Sequence, residues 1–439
     1  MKKHLLSLLD KIVLVFLYLN VLIPTVAPGG IPLSKAAFVA MLLVFFAVLT
    51  VSEERLRLRS LVYILVSLGG MALLGSISLL LGNEPESILG LSSIVLIVLI
   101  VPPLTLLFAH FGAQRYIRHL NLAIIGLAIL FVTLVVLTGP LNLRYIATFI
   151  QESNTTFSDT LTFALFPGGV RITTANQGFL SAGLVLTYAC VLQSGRWRDI
   201  AAFALLGIAL HYCYAISLWV SAVLGITACI LLPQPHRPRS PAGPINLDVR
   251  SFRINRKDWR KMVTVFAGVA AIGFTVLRLP AFIIESKGES FNFKHLQLVE
   301  ALDTFGSSPL VGKGLGFVYH QEKYQFVSGS ASCLLENSYA VIISSTGLIG
   351  VAIFTFIYLY YPIILLCSSK NWWMLILLVA HLVVLVQAWG NPFLWSGGLG
   401  LLFACFLGAS LEHAADQRTR RLRRVATGTQ TAPSVPLIS

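Results

Sequence analysis

Apolar residues in this chain run in long, nearly uninterrupted blocks separated by polar stretches. The blocks are about 18–24 residues long, enough for a helix to cross the ~30 Å hydrocarbon core of a bilayer. In lipid a helix satisfies its own backbone hydrogen bonds, which an open strand cannot do, so the blocks read as helices. Twelve are predicted, at 9–27, 34–51, 60–82, 90–110, 119–138, 177–193, 199–213, 216–233, 262–281, 338–366, 372–389 and 393–411. The expected fold class is an all-α polytopic membrane protein with about 12 transmembrane helices. The division between the seventh and eighth helices, around His211 to Ser217, is the least marked. One bent helix there would invert the sides of everything that follows.

Two connections are long, and long loops between membrane helices usually carry function. They organise the chain into helices 1–5 (1–138), a first long loop (139–176), helices 6–9 (177–281, with a basic loop at 234–261), a second long loop (282–337), helices 10–12 (338–411) and a basic tail (412–439). The second loop is expected to be partly helical. Leu298, Leu302 and Phe305 share one face of an amphipathic helix predicted over Phe293 to Phe305. No internal repeat is visible.

Composition agrees with the pattern. Of 439 residues, 56% are hydrophobic and 11% charged, against roughly a quarter charged in a soluble domain. The net charge of +14 does not point to nucleic acid, because the basic residues gather at the ends of apolar blocks as topology signals do. Arg55, Arg57 and Arg59 follow the second helix, Arg115 and Arg118 the fourth, and Arg196 and Arg198 the sixth. Arg250 to Lys261 follow the eighth, and Arg418 to Arg424 close the tail. With twelve helices and both termini cytoplasmic, all of these fall on one side. Both long loops and the acidic Glu84 and Glu86 then fall on the other. The six cysteines show no CxxC spacing and five lie in or beside apolar blocks, so no disulfide framework, metal site or cofactor is expected. The opening Met1-Lys2-Lys3-His4 looks like a secretion signal, but its apolar run continues past Pro24, which predicts a retained first helix.

Candidate chemistry concentrates in the second loop. Phe291-Asn292-Phe293-Lys294 leads into the short helix; Ser308-Pro309-Leu310-Val311-Gly312-Lys313-Gly314-Leu315-Gly316 then makes a glycine-punctuated turn. Glu336-Asn337-Ser338-Tyr339 opens the next membrane helix, which carries Gly347 and Gly350. Glycines let the backbone turn sharply or approach another chain segment closely. A carboxylate at a helix start is favoured by the helix dipole and faces the water–membrane boundary.

These residues resemble the O-antigen ligase and polymerase superfamily, membrane glycosyltransferases that move lipid-linked glycans on the outer face of the inner membrane. Pro309 to Gly316 resembles the family's P-L-x-G-x-G turn, Asn337 and Tyr339 its H-N-x-Y motif, and Gly347 with Gly350 its G-x-x-G. The resemblance is clearest over roughly 170–355. Lys294 stands where the family commonly has Arg, which keeps the cation and loses the bidentate fork. Glu336 stands at the family's usual His; a carboxylate can also take a proton from a sugar hydroxyl. Arg171 and Asn176 resemble an Arg in the first outer loop and the Asn-rich start of the next helix. An Arg there suits a diphosphate. Arg278, near the outer end of the ninth helix, is a further candidate because intramembrane cations are usually paired or functional. The family's Ser-Arg pair has no counterpart at Ser217-Leu218-Trp219, so no role is carried over there.

The resemblance implies a GT-C-like, metal-independent, inverting glycosyltransferase of the bacterial inner membrane with a periplasmic active site. Its donor would be an undecaprenyl diphosphate-linked glycan and its acceptor a glycan or lipid A-core, with membrane lipids and a chain-length regulator as candidate partners and no nucleic acid. Arg171, Arg278 and Lys294 would hold the diphosphate. Glu336 would be the general base, with His320 its rival, while Pro309, Gly312, Gly314, Gly316 and Asn337 would shape the loop. Plainer readings exist for each. The arginines could snorkel toward headgroups, Lys294 could be a solvated charge, Glu336 could serve only the helix dipole, and His320, His295 and His211 could be ordinary loop or buried histidines. Glu336 in place of His favours an O-antigen or exopolysaccharide polymerase over a ligase. A lipid-linked oligosaccharide flippase is the alternative from another class. A peptidoglycan-type polymerase, using Glu300 or Asp303, is a weaker one.

Overall fold

A computed structural model describes residues 2–22, 58–138, 141, 145, 161–166, 169–174, 176–213, 215–232, 281–319, 335, 337–368, 372–391, 393–395 and 399–426. Eleven helical segments appear among them: α1 (Lys2–Leu22), α2 (Leu58–Leu80), α3 (Pro85–Phe111), α4 (Ala113–Thr138), α5 (Gly178–Ser194), α6 (Trp197–Tyr212), α7 (Ile216–Leu231), α8 (Ala281–Ser307), α9 (Ser338–Leu366), α10 (Trp372–Gln387) and α11 (Leu399–Ala426). The spans expected at 34–51 and, but for its last residue, 262–281 lie outside the described residues; each of the others overlaps a helix. Four of these, α2, α3, α4 and α9, are long and apolar enough to cross a membrane, while α5, α7 and α10 are apolar but shorter. The chain is an α-helical membrane protein.

Local chemistry explains several departures from regular helix. In α3, residues Ser93–Ile100 tighten into a 3-10 helix just before Pro102 and Pro103, which have no N–H to donate back to the preceding turn. Between α6 and α7 the chain is extended at Ala215 (φ −107°, ψ 108°), so two helices stand where one bent helix was the competing expectation. Two features correct the sequence reading. The first long loop contains a β-hairpin, β1 (Leu161–Phe166) antiparallel to β2 (Gly169–Thr174), with Phe166 opposite Gly169. An all-α description therefore holds for the helical bundle alone. The loop helix α8 runs well beyond Phe293 to Phe305, and Leu302 is half exposed while Gln297 and Ala301 take the buried face.

Helix α5 is buried on every side from Gly178 to Ala189, which places it at the centre of the bundle, packed by α4, α6, α7 and α10. Helix α9 lies against α2, α8 and α11, and α11 closes on α3 and α10. Small residues set the closest approaches, as is common where helices pack in lipid. A Cβ at Gly225 of α7 would stand 2.5 Å from the γ-methyls of both Val185 on α5 and Val383 on α10. Helix α1 is pinned to α4 by a buried Asp10, whose carboxylate takes the Arg115 guanidinium at 2.7 Å and the Tyr116 hydroxyl. Arg115 in turn stacks over the Phe111 ring at 4.9 Å.

This packing predicts opposite outcomes for two glycines. Gly225→Ala should lower stability by about 1–3 kcal/mol through overpacking. Gly207→Ala, with nothing within 4 Å of the added methyl, should be neutral or raise stability by up to ~1 kcal/mol through helix propensity. Thermal unfolding in detergent reads both; equal melting temperatures would contradict the tight α5–α7–α10 junction.

Candidate functional site

Helix α9 is not continuous. Gly347 has φ 58° and ψ −159°, outside helical geometry. A regular helix would pair the N–H groups of Leu348 and Ile349 with the carbonyls of Ser344 and Ser345. Instead Leu348 donates to the Pro309 carbonyl at 2.9 Å and Ile349 to that of Leu310 at 3.1 Å. The carbonyls of Ser344 and Ser345 accept from Lys313 at 3.0 Å and Gly314 at 2.7 Å. The Pro309 to Gly316 turn thus inserts into the break and takes over four backbone partners that the helix has lost.

Insertion at this distance requires bare backbone on both sides. A Cβ on Gly312 (φ 66°) would overlap the Ser345 carbonyl, and one on Gly347 would fall 2.5 Å from that of Leu310. Gly314 (φ 92°) lies against Asn83, which donates to the Lys313 carbonyl at 2.8 Å, and Leu315 N–H donates to Ser78 Oγ at 2.6 Å. Gly316 (φ 82°) faces Ser87 and Ile88. The Tyr319 hydroxyl lies 2.6 Å from Ser344 Oγ and 3.1 Å from Ser345 Oγ. The turn is therefore bound to α2, the start of α3 and α9 together.

A second polar cluster surrounds the start of α9. Asn337 is its N-cap, accepting from the N–H groups of Tyr339 at 2.9 Å and Ala340 at 3.1 Å. Ser338 N–H donates to the Ala388 carbonyl at 3.0 Å and Ser338 Oγ to that of Asn391 at 2.9 Å. From α8, Lys294 Nζ reaches the Gly390 carbonyl at 2.9 Å. Asn391 Nδ2 donates to Ser217 Oγ at the start of α7 at 2.7 Å. Gln387 Nε2 donates to Ser181 Oγ in the first turn of α5 at 2.5 Å. The starts of α5, α7 and α9, the end of α10 and the middle of α8 converge on residues 387–391.

Of the sequence candidates, Lys294 and Asn337 meet in this cluster, and Pro309, Gly312, Gly314 and Gly316 belong to the inserted turn. Arg171 lies in β2, paired in register with Ala164; β2 packs on α4 and α6 and leads into α5. Asn176, just before α5, is fully buried and donates to the Asn20 and Val21 carbonyls at the end of α1. Glu336, His320 and Arg278 lie outside the described residues. His295 is exposed and His211 half-buried. Ser217, Gly390 and Asn391 were not singled out by sequence as site residues; an Asn beside Gly at the end of an apolar block was their only signal.

Chemically, the cluster places a half-buried ammonium, bonded to the Gly390 carbonyl, beside hydroxyl and amide groups. That suits an anionic or hydroxylated ligand. Among the described residues no group of His, Cys, Asp or Glu could hold a metal ion. No family model matches the chain, and no curated protein matches it.

If the turn and the break form one unit, Gly312→Ala and Gly347→Ala should each lower stability by ~2 kcal/mol or more, from left-handed strain and backbone overlap. The double variant should cost clearly less than their sum. Full additivity in detergent melting curves would argue that the two glycines act independently.

Proposed function

We propose that the chain is a metal-independent, inverting glycosyltransferase of the bacterial inner membrane, acting on an undecaprenyl diphosphate-linked glycan and most simply a polymerase of O-antigen or exopolysaccharide. The proposed topology has twelve spans, both termini cytoplasmic and the active site periplasmic, as the distribution of basic residues favours. The observation that carries the reading is the bond from Lys294 to the turn that also receives Ser338. It brings a cation from the second long loop beside the helix start that follows Glu336. The first turns of α5, α7 and α9 gather at the same end, and the partial positive charge of helix N-termini favours an anion there.

In the proposed reaction Glu336 takes the proton from an acceptor hydroxyl as its oxygen attacks the anomeric carbon of the donor glycan. The bond from that carbon to the diphosphate oxygen breaks, the electron pair leaves with undecaprenyl diphosphate, and configuration inverts. Arg171, Arg278 and Lys294 stabilise the charge that grows on the leaving group. Fixed cations in a partly dry site can contribute several kcal/mol to such a step. A diphosphate is already a good leaving group, so no metal is required by this scheme. Polymerase and ligase differ only in the acceptor, another lipid-linked repeat or a lipid A-core sugar.

The test is complementation in a strain lacking the native gene, with surface glycan resolved by gel. Wild type should restore a ladder. Glu336→Gln should reduce elongation by about 10²–10⁴-fold, the usual range for losing a general base, and Arg171→Ala should also leave single repeats, both at normal protein levels; His320→Ala should retain the ladder. Attachment of preformed chains without elongation would identify a ligase. Full ladders from both Glu336 and Arg171 variants would overturn the site and favour movement of lipid-linked glycan across the membrane.

A further inference from the structure

The turn at residues 387–391 is buried at Gln387, Ala388 and Gly390, and its contacts are specific. Its Gly390 carbonyl holds the Lys294 ammonium at 2.9 Å. Its Asn391 side chain crosses to Ser217 Oγ at 2.7 Å and back to the Gln387 carbonyl at 3.3 Å. The Asn391 carbonyl accepts from Ser338 Oγ, one residue beyond the Asn337 cap. Gly390 is closely fitted as well: a Cβ there would stand 3.3 Å from Ser217 Cβ and 3.7 Å from Lys294 Nζ. One short turn therefore bonds both the cation of α8 and the start of α9.

We propose that Asn391 is a positioning residue: by tying the turn to Ser217 it aims the Gly390 carbonyl, and through it the Lys294 ammonium, at the place where a polyprenyl diphosphate is held. A lysine side chain has four rotatable carbons and a point charge, so its location depends on what its N–H groups bond to. The Gly390 carbonyl is one such partner, and the Asn391–Ser217 bond ties the turn that carries it. The diphosphate half of this inference rests on the glycosyltransferase reading; the positioning half does not.

Two measurements separate those halves. Amine acetylation followed by mass spectrometry, on the full chain in detergent, reads the accessibility of Lys294 whatever the protein does. Asn391→Ala should raise the Lys294 labelling rate at least threefold while Lys11 and Lys313 label as in wild type. Binding of undecaprenyl diphosphate to the same protein in nanodiscs reads the second half. Asn391→Ala should weaken it about threefold to tenfold, Lys294→Ala at least tenfold, and the double variant no more than Lys294→Ala alone. Ser217→Ala deletes only the hydroxyl that Asn391 bonds and carries both measurements if Asn391→Ala fails to fold. Unchanged Lys294 labelling overturns the positioning role, and so do losses that multiply in the double variant. Raised labelling in a protein whose wild type does not bind the diphosphate upholds the positioning role and rejects the substrate reading instead.

Discussion

A helix interrupted within a bilayer leaves backbone N–H and C=O groups with no water to take them, each costing several kcal/mol if unmet. The break at Gly347 creates four such groups, and the Pro309 to Gly316 turn meets all four. Much else follows from that exchange. The turn must thread down to the level of Ser344 and Ser345, so the loop that carries α8 is anchored at its far end. Ser78 and Asn83 meet two more of the turn's backbone groups, the Leu315 N–H and the Lys313 carbonyl. The first half of α9 is thereby held as a separate short segment, capped by Asn337 at one end and clamped by the turn at the other.

That segment is what positions the candidate chemistry. Its start is bonded to residues 388 and 391, and the same turn receives Lys294 and Ser217. The loop containing Lys294 is consequently tied at two points, through the inserted turn after α8 and through the ammonium within it. A cation restrained in this way loses less freedom on meeting an anion than a solvated lysine would, and preorganised charge of this kind is what accelerates reactions in which negative charge develops.

The described helices were legible because they coincide with long apolar blocks, and α6 and α7 stand as the two expected helices although the division around His211 to Ser217 was the least marked in the sequence. Other features were not legible, for specific reasons. Thr346-Gly347-Leu348-Ile349-Gly350 sits inside an apolar run, and nothing local distinguishes a tolerated helical glycine from a break; its partners lie more than 30 residues away at Pro309 to Gly314. The bond from Lys294 to Gly390 spans 96 positions and leaves no periodic trace. The hairpin did carry a signal: two runs rich in β-branched and aromatic residues around Pro167-Gly168 fit a turn between strands. Which face of α8 is covered was not legible either: spacing groups Leu298, Leu302 and Phe305, while the buried positions are Gln297 and Ala301.

The lysine at position 294 has a consequence for how the charge is shared. An arginine could spend one edge of its planar fork on the Gly390 carbonyl and still present two parallel donors to a phosphate. A lysine has one nitrogen for both tasks, so carbonyl and ligand must lie within reach of a single atom. That requirement makes the path of the 387–391 turn a determinant of the site rather than a passive connection between α10 and α11. Gly390 is closely fitted, so displacing its carbonyl moves a point at which the turn holds the ammonium. In this architecture the glycan-handling chemistry proposed for the loop depends on backbone carbonyl geometry two helices away from it.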